Sequence, residues 1–426
     1  MLECWNACRG SAHGARLAQE IRVFLSYPRN MRVLLVTNLI YSFAMPVFYM
    51  FTNTYILRKS ESVSMVIVYQ LATYTGIPFT FCVNGWLMKH FQIRWLYAVG
   101  MMLGGVSMTI MMVLPELHLP GLGVAGLVMG MSFGLYWANR DFLALSATDD
   151  GNRNYYYGLE AFFGNVIGLV VPVTVGWFLE GSCHWFGAAH QGYRILTASV
   201  FVVSALASAM IFAGRFVNPP PTRFLYLRFH WLWQRCLALA VLKGLAQGYI
   251  MTAPAMLVAR FLGKEGVLGT AQSVGVLFSA TLLYVIGRRA KPQHRVAIYA
   301  VGLVMYALGG AANALLFNGT GVVIFMFCLL LAGPLIDFAY GPIVLRAVDA
   351  VSAIERRNPF SYLISLEFGL YAGRFVGCSL FLVLAYKVSD IVALRYALLI
   401  IGLLQLLSVV AAKGIARGCA QVKGEA

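Results

Sequence analysis

Apolar runs recur from Val33 to Ala412 with short polar or basic breaks between them. Roughly twenty apolar residues cross the hydrocarbon core of a bilayer as a helix. The runs do not alternate with the period of two that a membrane β-barrel strand requires. The pattern predicts an all-α polytopic membrane protein with twelve transmembrane helices. They lie near residues 33–57, 63–88, 95–114, 121–145, 156–179, 195–214, 236–258, 267–287, 296–317, 320–345, 362–386 and 396–412. The turn at Pro115–Pro120 separates the third span from the fourth.

The sharpest break is Arg215–Arg235, with three consecutive prolines and four arginines. It divides the spans six and six. The expected organisation is a tail at 1–32, a six-helix bundle at 33–214, a linker at 215–235, a second bundle at 236–412 and a tail at 413–426. Within 1–32, Ala15–Tyr27 has the pattern of an amphipathic segment lying on a membrane surface. That stretch lacks the apolar run of a cleaved signal peptide.

Composition agrees: 60% of residues are hydrophobic and 11% charged, against about 25% charged in an ordinary globular protein. A soluble enzyme is excluded, and no enzymatic activity is expected. The net charge of +16 invites a nucleic-acid reading, but its distribution points elsewhere. With the amino terminus inside, twenty-two Lys and Arg fall in loops and tails on that side and seven on the other. Basic loops are retained in the cytoplasm. Both termini, Arg223 and Lys423 are therefore expected to be cytoplasmic and His184 external, in a bacterial plasma (inner) membrane. No nucleic-acid partner is expected.

Two segments echo each other six spans apart. Arg153–Glu160 reads RNYYYGLE and Arg357–Glu367 reads RNPFSYLISLE, while GNVIG at Gly164–Gly168 parallels GRFVG at Gly373–Gly377. Together they suggest a parallel duplication of a six-helix unit.

The six-plus-six spans, the inside termini and the basic linker resemble the major facilitator superfamily of secondary transporters, over Val33 to Ala412. That family commonly carries G-x-L-x-D-R-x-G-R-R between its second and third helices. Here Gly85–Arg94 reads GWLMKHFQIR. The glycine, leucine and a late arginine remain, but Lys89 replaces the aspartate and His90 the first arginine. In the second half, Gly287-Arg288-Arg289 keeps only the glycine and the basic charge. The fifth span's Gly164, Gly168, Pro172 and Gly176 resemble the glycine-proline motif of antiporters, or are ordinary small-residue helix packing. The resemblance implies that the first, fourth, seventh and tenth helices line a cavity, with the third, sixth, ninth and twelfth facing lipid.

Ionisable groups inside spans are costly and mark function. They are Arg140, Asp141, Glu160, Lys243, Asp337, Glu367 and Arg374. At about 100° per residue, Asn38, Ser42, Tyr49 and Asn53 form one stripe of the first span, with Tyr41 at its edge. Phe133, Tyr136, Trp137 and Arg140 share a face, as do Lys243 with Gln247, Asp337 with Tyr340, and Glu367 with Tyr371 and Arg374. The expected substrate-binding residues are Asn38, Tyr41, Tyr49, Tyr136, Trp137, Arg140, Lys243, Gln247, Tyr340, Tyr371 and Arg374. Asp337 and Glu367 are the expected proton-coupling carboxylates. Glu367 and Arg374 are about 10 Å apart along a helix axis, so Asp337 is an equal candidate to pair with Arg374.

Other signals carry less. Gly121–Gly126 matches G-x-G-x-x-G, but inside a span, where it does not read as a dinucleotide site. Cys4 and Cys8 lack the second pair of a zinc pattern; Cys183, His184 and His190 share one external loop and could bind a metal, but neither metal nor cofactor is expected. No P-loop is present. The expected function is alternating-access transport of a small organic solute, driven by a proton or ion gradient, by a monomer in the lipid bilayer. The cavity cations lean toward an anionic substrate. The alternative is a transporter-like assembly factor or sensor that moves nothing.

Overall fold

The computed structural model describes residue 19 and residues 22–114, 116–148, 153–186, 189–218, 226, 228–250, 252–262, 265–289, 292–357 and 359–424. Cys4, Cys8 and Arg223 lie outside these residues, as do the side chains of Cys183, His190 and Lys423. Among the described residues every long element is a helix. A helix satisfies its own backbone polar groups, which lipid cannot do.

The chain runs through α1 (Arg29–Ser42), α2 (Thr52–Ser60), α3 (Val63–Leu87), α4 (Ile93–Val113), α5 (Leu119–Ala147), α6 (Arg153–Phe186) and α7 (Ala189–Ile211). Beyond the linker come α8 (Trp231–Ile250), α9 (Ala253–Phe261), α10 (Glu265–Arg289), α11 (Arg295–Leu316), α12 (Gly319–Glu355), α13 (Pro359–Lys387), α14 (Asp390–Gln405) and α15 (Leu407–Gly424). Among the described residues, eleven helical stretches, some joining two elements, are long and apolar enough to cross a membrane. The eighth expected span coincides with α10, a 25-residue helix outside those eleven.

Three expected spans are broken. The first divides at Pro46, where a π-helical turn, Val47–Phe51, separates α1 from α2. Proline has no N–H and its ring crowds the preceding turn, which displaces the regular ladder. The seventh divides before Pro254 into α8 and α9. The twelfth divides at Leu406, and α15 continues as helix to Gly424, through the stretch expected to be a tail. The tenth is longer than its apolar run, with Pro334 and Pro342 inside it.

Before the linker, α3 packs on α5, α4 on α5 and α7, and α1 on α6 and α7. After it, α8 packs on α13, α11 on α12 and α14, and α10 on α12. The two groups meet along α3 against α13 and α6 against α10. At the second meeting Gly269 lies over Pro172, where a Cβ would stand 2.1 Å from the proline carbonyl oxygen. The glycine-proline stripe of the fifth span is thus the surface that receives α10, a close backbone approach that small residues permit. Gly373 meets α8 in the same way, its Cβ position 1.9 Å from the Val241 carbonyl oxygen.

Among the described residues, five hydrogen bonds join the two groups. Tyr74 donates to the Gln247 carbonyl at 2.8 Å, and Thr75 and Tyr371 share one at 3.3 Å, both in mid-helix. The other three lie at the end away from the termini. There Ser64 donates to Asp390, Trp177 Nε1 to Thr270 at 3.2 Å, and the Gly266 N–H to Glu180 at 3.2 Å. Broken-helix segments α2 and α9 also pack together at that end. The α4, α7, α11 and α14 helices present exposed apolar side chains such as Val99, Val202, Leu308 and Leu403, as lipid-facing helices should.

Candidate functional site

The site is built from two charged clusters, one toward the terminus side of the helices and one near mid-helix. In the first, Arg140 on α5 reaches across to Glu160 on α6. Its Nε donates to Oε1 at 3.2 Å and a terminal nitrogen donates to Oε2, while the other terminal nitrogen donates to Asp141 at 2.9 Å. The Arg140 and Glu160 side chains are 17% and 18% exposed. A pair this enclosed persists only if its remaining polar positions are satisfied. Asn38 on α1 supplies that, donating to Glu160 at 2.8 Å and to Tyr156 at 3.0 Å while accepting from the Tyr97 hydroxyl. Trp137 lies beneath the Arg140 guanidinium, 5.2 Å from it.

Behind this network is an aromatic wall. Tyr97 stacks on Tyr136 at 5.3 Å, Tyr136 meets Tyr41 at 4.6 Å, and Tyr49 stacks on Phe133 at 5.1 Å. A cavity of about 150 Å³ opens beside it, lined by Asn38, Ser42, Tyr136, Trp137, Arg140 and Glu160 among others.

In the second cluster, Lys243 on α8 donates to Asp337 on α12 at 2.9 Å and lies 3.8 Å over the Tyr340 ring. One turn along α8, Gln247 accepts from Arg374 on α13 twice, at 3.0 and 2.8 Å. Arg374 also pairs with Glu367 at 3.4 Å and rests over the Tyr74 ring at 5.0 Å. Its side chain is 12% exposed. Tyr371 meets Thr75 of α3 and thereby joins this cluster to the other half.

The expected residues are therefore gathered in two places. Asn38, Tyr136, Trp137 and Arg140 share the first cavity, and Lys243, Gln247, Asp337, Tyr340, Glu367, Tyr371 and Arg374 form the second cluster. Of the two partners that spacing leaves open for Arg374, Glu367 is the one it pairs with, its long side chain folding back along α13. One expectation needs correction. The polar stripe of the first span is not continuous, because the π turn resets the helical phase between Ser42 and Tyr49. Tyr41 accordingly is fully buried against Phe48 and Tyr136, 3.5 Å from Ser132, while Tyr49 is exposed. Asn53 is buried and caps the Tyr49 carbonyl at 2.9 Å.

Sequence reasoning assigned no role to Tyr74 and Thr75 on α3, Tyr97 on α4, or Tyr156 on α6. The second and third spans carry no charge. The buried polar run Gln70, Thr73 and Tyr74 on an apolar helix was the signal available. Glu160 stood among the intramembrane charges without a role, yet it holds the first cluster together. It and Glu367 end the two echoing segments, and each holds an arginine.

No family model matches the chain. It is 24% identical over 379 residues to the uncharacterized protein YqgE of Bacillus subtilis (strain 168), covering 85% of this chain and 84% of that one. Among solved structures it is similar to the nucleoside transporter NupG, with a TM-score of 0.64 and 14% identity over 91% of this chain and 99% of the other. A proton-dependent oligopeptide transporter superimposes with a TM-score of 0.67 and 12% identity, over 92% and 99%. The chain is an integral, multi-pass membrane protein with the major facilitator fold.

Proposed function

We propose that the protein is a secondary transporter that moves a small organic solute by alternating access, coupled to a proton or ion gradient. The bundles at 33–214 and 236–412 are its moving units, and the linker at 215–235 and both termini are cytoplasmic, in a bacterial inner membrane. The observation that carries this reading is an asymmetry. The two groups of helices are tied by hydrogen bonds at mid-helix and at the end away from the termini, while the Arg140–Glu160 pair lies toward the terminus side. That arrangement supports reading the structure as a state open toward the cytoplasm. The similar structures are transporters of nucleosides and oligopeptides, which supports the reaction class.

In this reading Arg140, Lys243 and Arg374 hold or release carboxylates as solute and protons come and go. Asp337 and Glu367 take up the coupling protons. Asn38, Tyr49, Tyr136, Trp137, Gln247, Tyr340 and Tyr371 shape the cavity, with Tyr41 supporting it from behind. The protein acts as a monomer and needs no cofactor. Purified protein in liposomes, given a panel of labelled solutes with and without a pH gradient, tests the proposal. Saturable flux that responds to the gradient is expected. A folded, correctly inserted protein that moves none of them would instead favour a sensor or assembly factor.

A further inference from the structure

The terminus side of the first bundle carries a second polar cavity, which shares no lining residue with the one beside Arg140. Its volume is about 590 Å³, and Arg29, Asn30, Ser146, Thr148 and Arg215 line it with Pro28 and Ala147. The walls are the start of α1, the end of α5 and the chain just beyond α7. Asn30 joins two of these walls. Its amide donates to the Arg215 carbonyl at 2.6 Å, and its oxygen accepts from the Arg215 N–H at 2.9 Å. Three residues on, Asn218 accepts from the Ile93 N–H and donates to the Met88 and Phe91 carbonyls, each at 2.8 Å. The start of the linker is therefore fixed in place, and Arg215 with it.

The charge in this cavity is one-sided. Arg29 and Arg215 are exposed, and among the described residues neither side chain has an ion pair or a hydrogen bond. Arg32, one turn along α1 from Arg29, has a buried Nε without a partner. The first turn of α1 contains no acidic residue, and no side chain caps it. Its free N–H groups add the positive end of the helix to the site. On the facing wall the Ser146 and Thr148 hydroxyls donate to the Leu143 and Ala144 carbonyls at 3.0 and 2.7 Å, which quietens the negative end of α5. Asp149 and Asp150 follow in sequence, outside the described residues.

Two guanidiniums and a helix amino terminus around one cavity match the oxygens of a phosphate. Apolar side chains stand beside them in the chain. Leu25, 54% exposed, precedes Pro28, and Val217, 82% exposed, follows Arg215. A soluble phosphate ester has no use for these, whereas a lipid can lay its chains against them. Basic pockets at the ends of membrane helices take anionic headgroups. We propose that this cavity binds the phosphate of an anionic phospholipid, and that the lipid clamps the start of the linker to the first bundle. The site stands whether or not the protein transports a solute.

The test uses purified full-length protein in a neutral detergent, titrated with phosphatidylglycerol, phosphatidylcholine or glycerol 3-phosphate. Saturable thermal stabilisation by phosphatidylglycerol is expected, with much weaker stabilisation by the other two. Arg29→Gln and Arg215→Gln should each weaken phosphatidylglycerol binding about tenfold, leaving the melting temperature without lipid unchanged. Lys413→Gln removes an exposed charge on α15, away from the cavity, and should leave binding intact. Ser146→Asp keeps both arginines but places a carboxylate in the cavity, and should also weaken binding. A folding defect in an arginine variant therefore leaves the site testable. Stabilisation by glycerol 3-phosphate as strong as by phosphatidylglycerol would assign the cavity to a soluble phosphate ester and overturn the lipid. No saturable effect of phosphatidylglycerol, an effect unchanged in the Arg29 and Arg215 variants, or an equal loss in Lys413→Gln would overturn the site itself.

Discussion

The two charged clusters contain similar residues but are held differently. Around Arg140 the acceptor, Glu160, is enclosed and receives hydrogen bonds from α1 as well as α5, with Tyr97 and Tyr156 securing Asn38. Around Lys243 and Arg374 the acceptors stand open: Asp337 is 71% exposed and Glu367 31%. One cluster ties four helices of its own half together, α1, α4, α5 and α6, and the other leaves its acceptors exposed. An ion pair is structural where its carboxylate is enclosed and exchangeable where its carboxylate is wet. The desolvation cost of breaking the first is large, while water replaces much of what is lost in the second.

The sharpest way to break this comparison is Glu160→Ala. Removing one partner of an enclosed pair leaves Arg140 without its main counter-ion and costs about 3–5 kcal/mol. A large drop in melting temperature and in yield is expected. A variant as stable as the native protein would show that the first cluster is not the structural one. Next in size is Arg374→Ala, which leaves Gln247 and Glu367 without their donor. Transport should fall at least about tenfold, with a modest loss of stability, and Arg374→Lys should restore only part because lysine lacks the planar two-pronged geometry. The smallest effect is expected for Asp337→Asn. Its pair with Lys243 is mostly solvated, so stability should change by about 1 kcal/mol or less. Its consequence should appear in the pH dependence of flux instead.

Most of the architecture was legible in the sequence because lipid imposes long apolar runs. The charges of the site were legible for the same reason, since an Arg or Glu in such a run stands out. The partners were not. Helical phase could not carry past Pro46, because a π turn adds a residue and rotates everything beyond it. Nor could spacing along α13 place Glu367 beside Arg374, since the contact is made by side-chain length rather than backbone distance. Tyr97 escaped because an uncharged third helix reads as lipid-facing, though one of its faces points inward.

In the proposed alternating-access cycle the closed end is as essential as the open one. With the native cysteines replaced, Ser64→Cys combined with Asp390→Cys puts a cross-linkable pair where α3 and α14 already touch. Oxidation should fix the far end shut and abolish solute flux in liposomes, and reduction should restore it. Flux that continues undiminished in fully cross-linked protein would contradict movement of the two halves as the basis of transport.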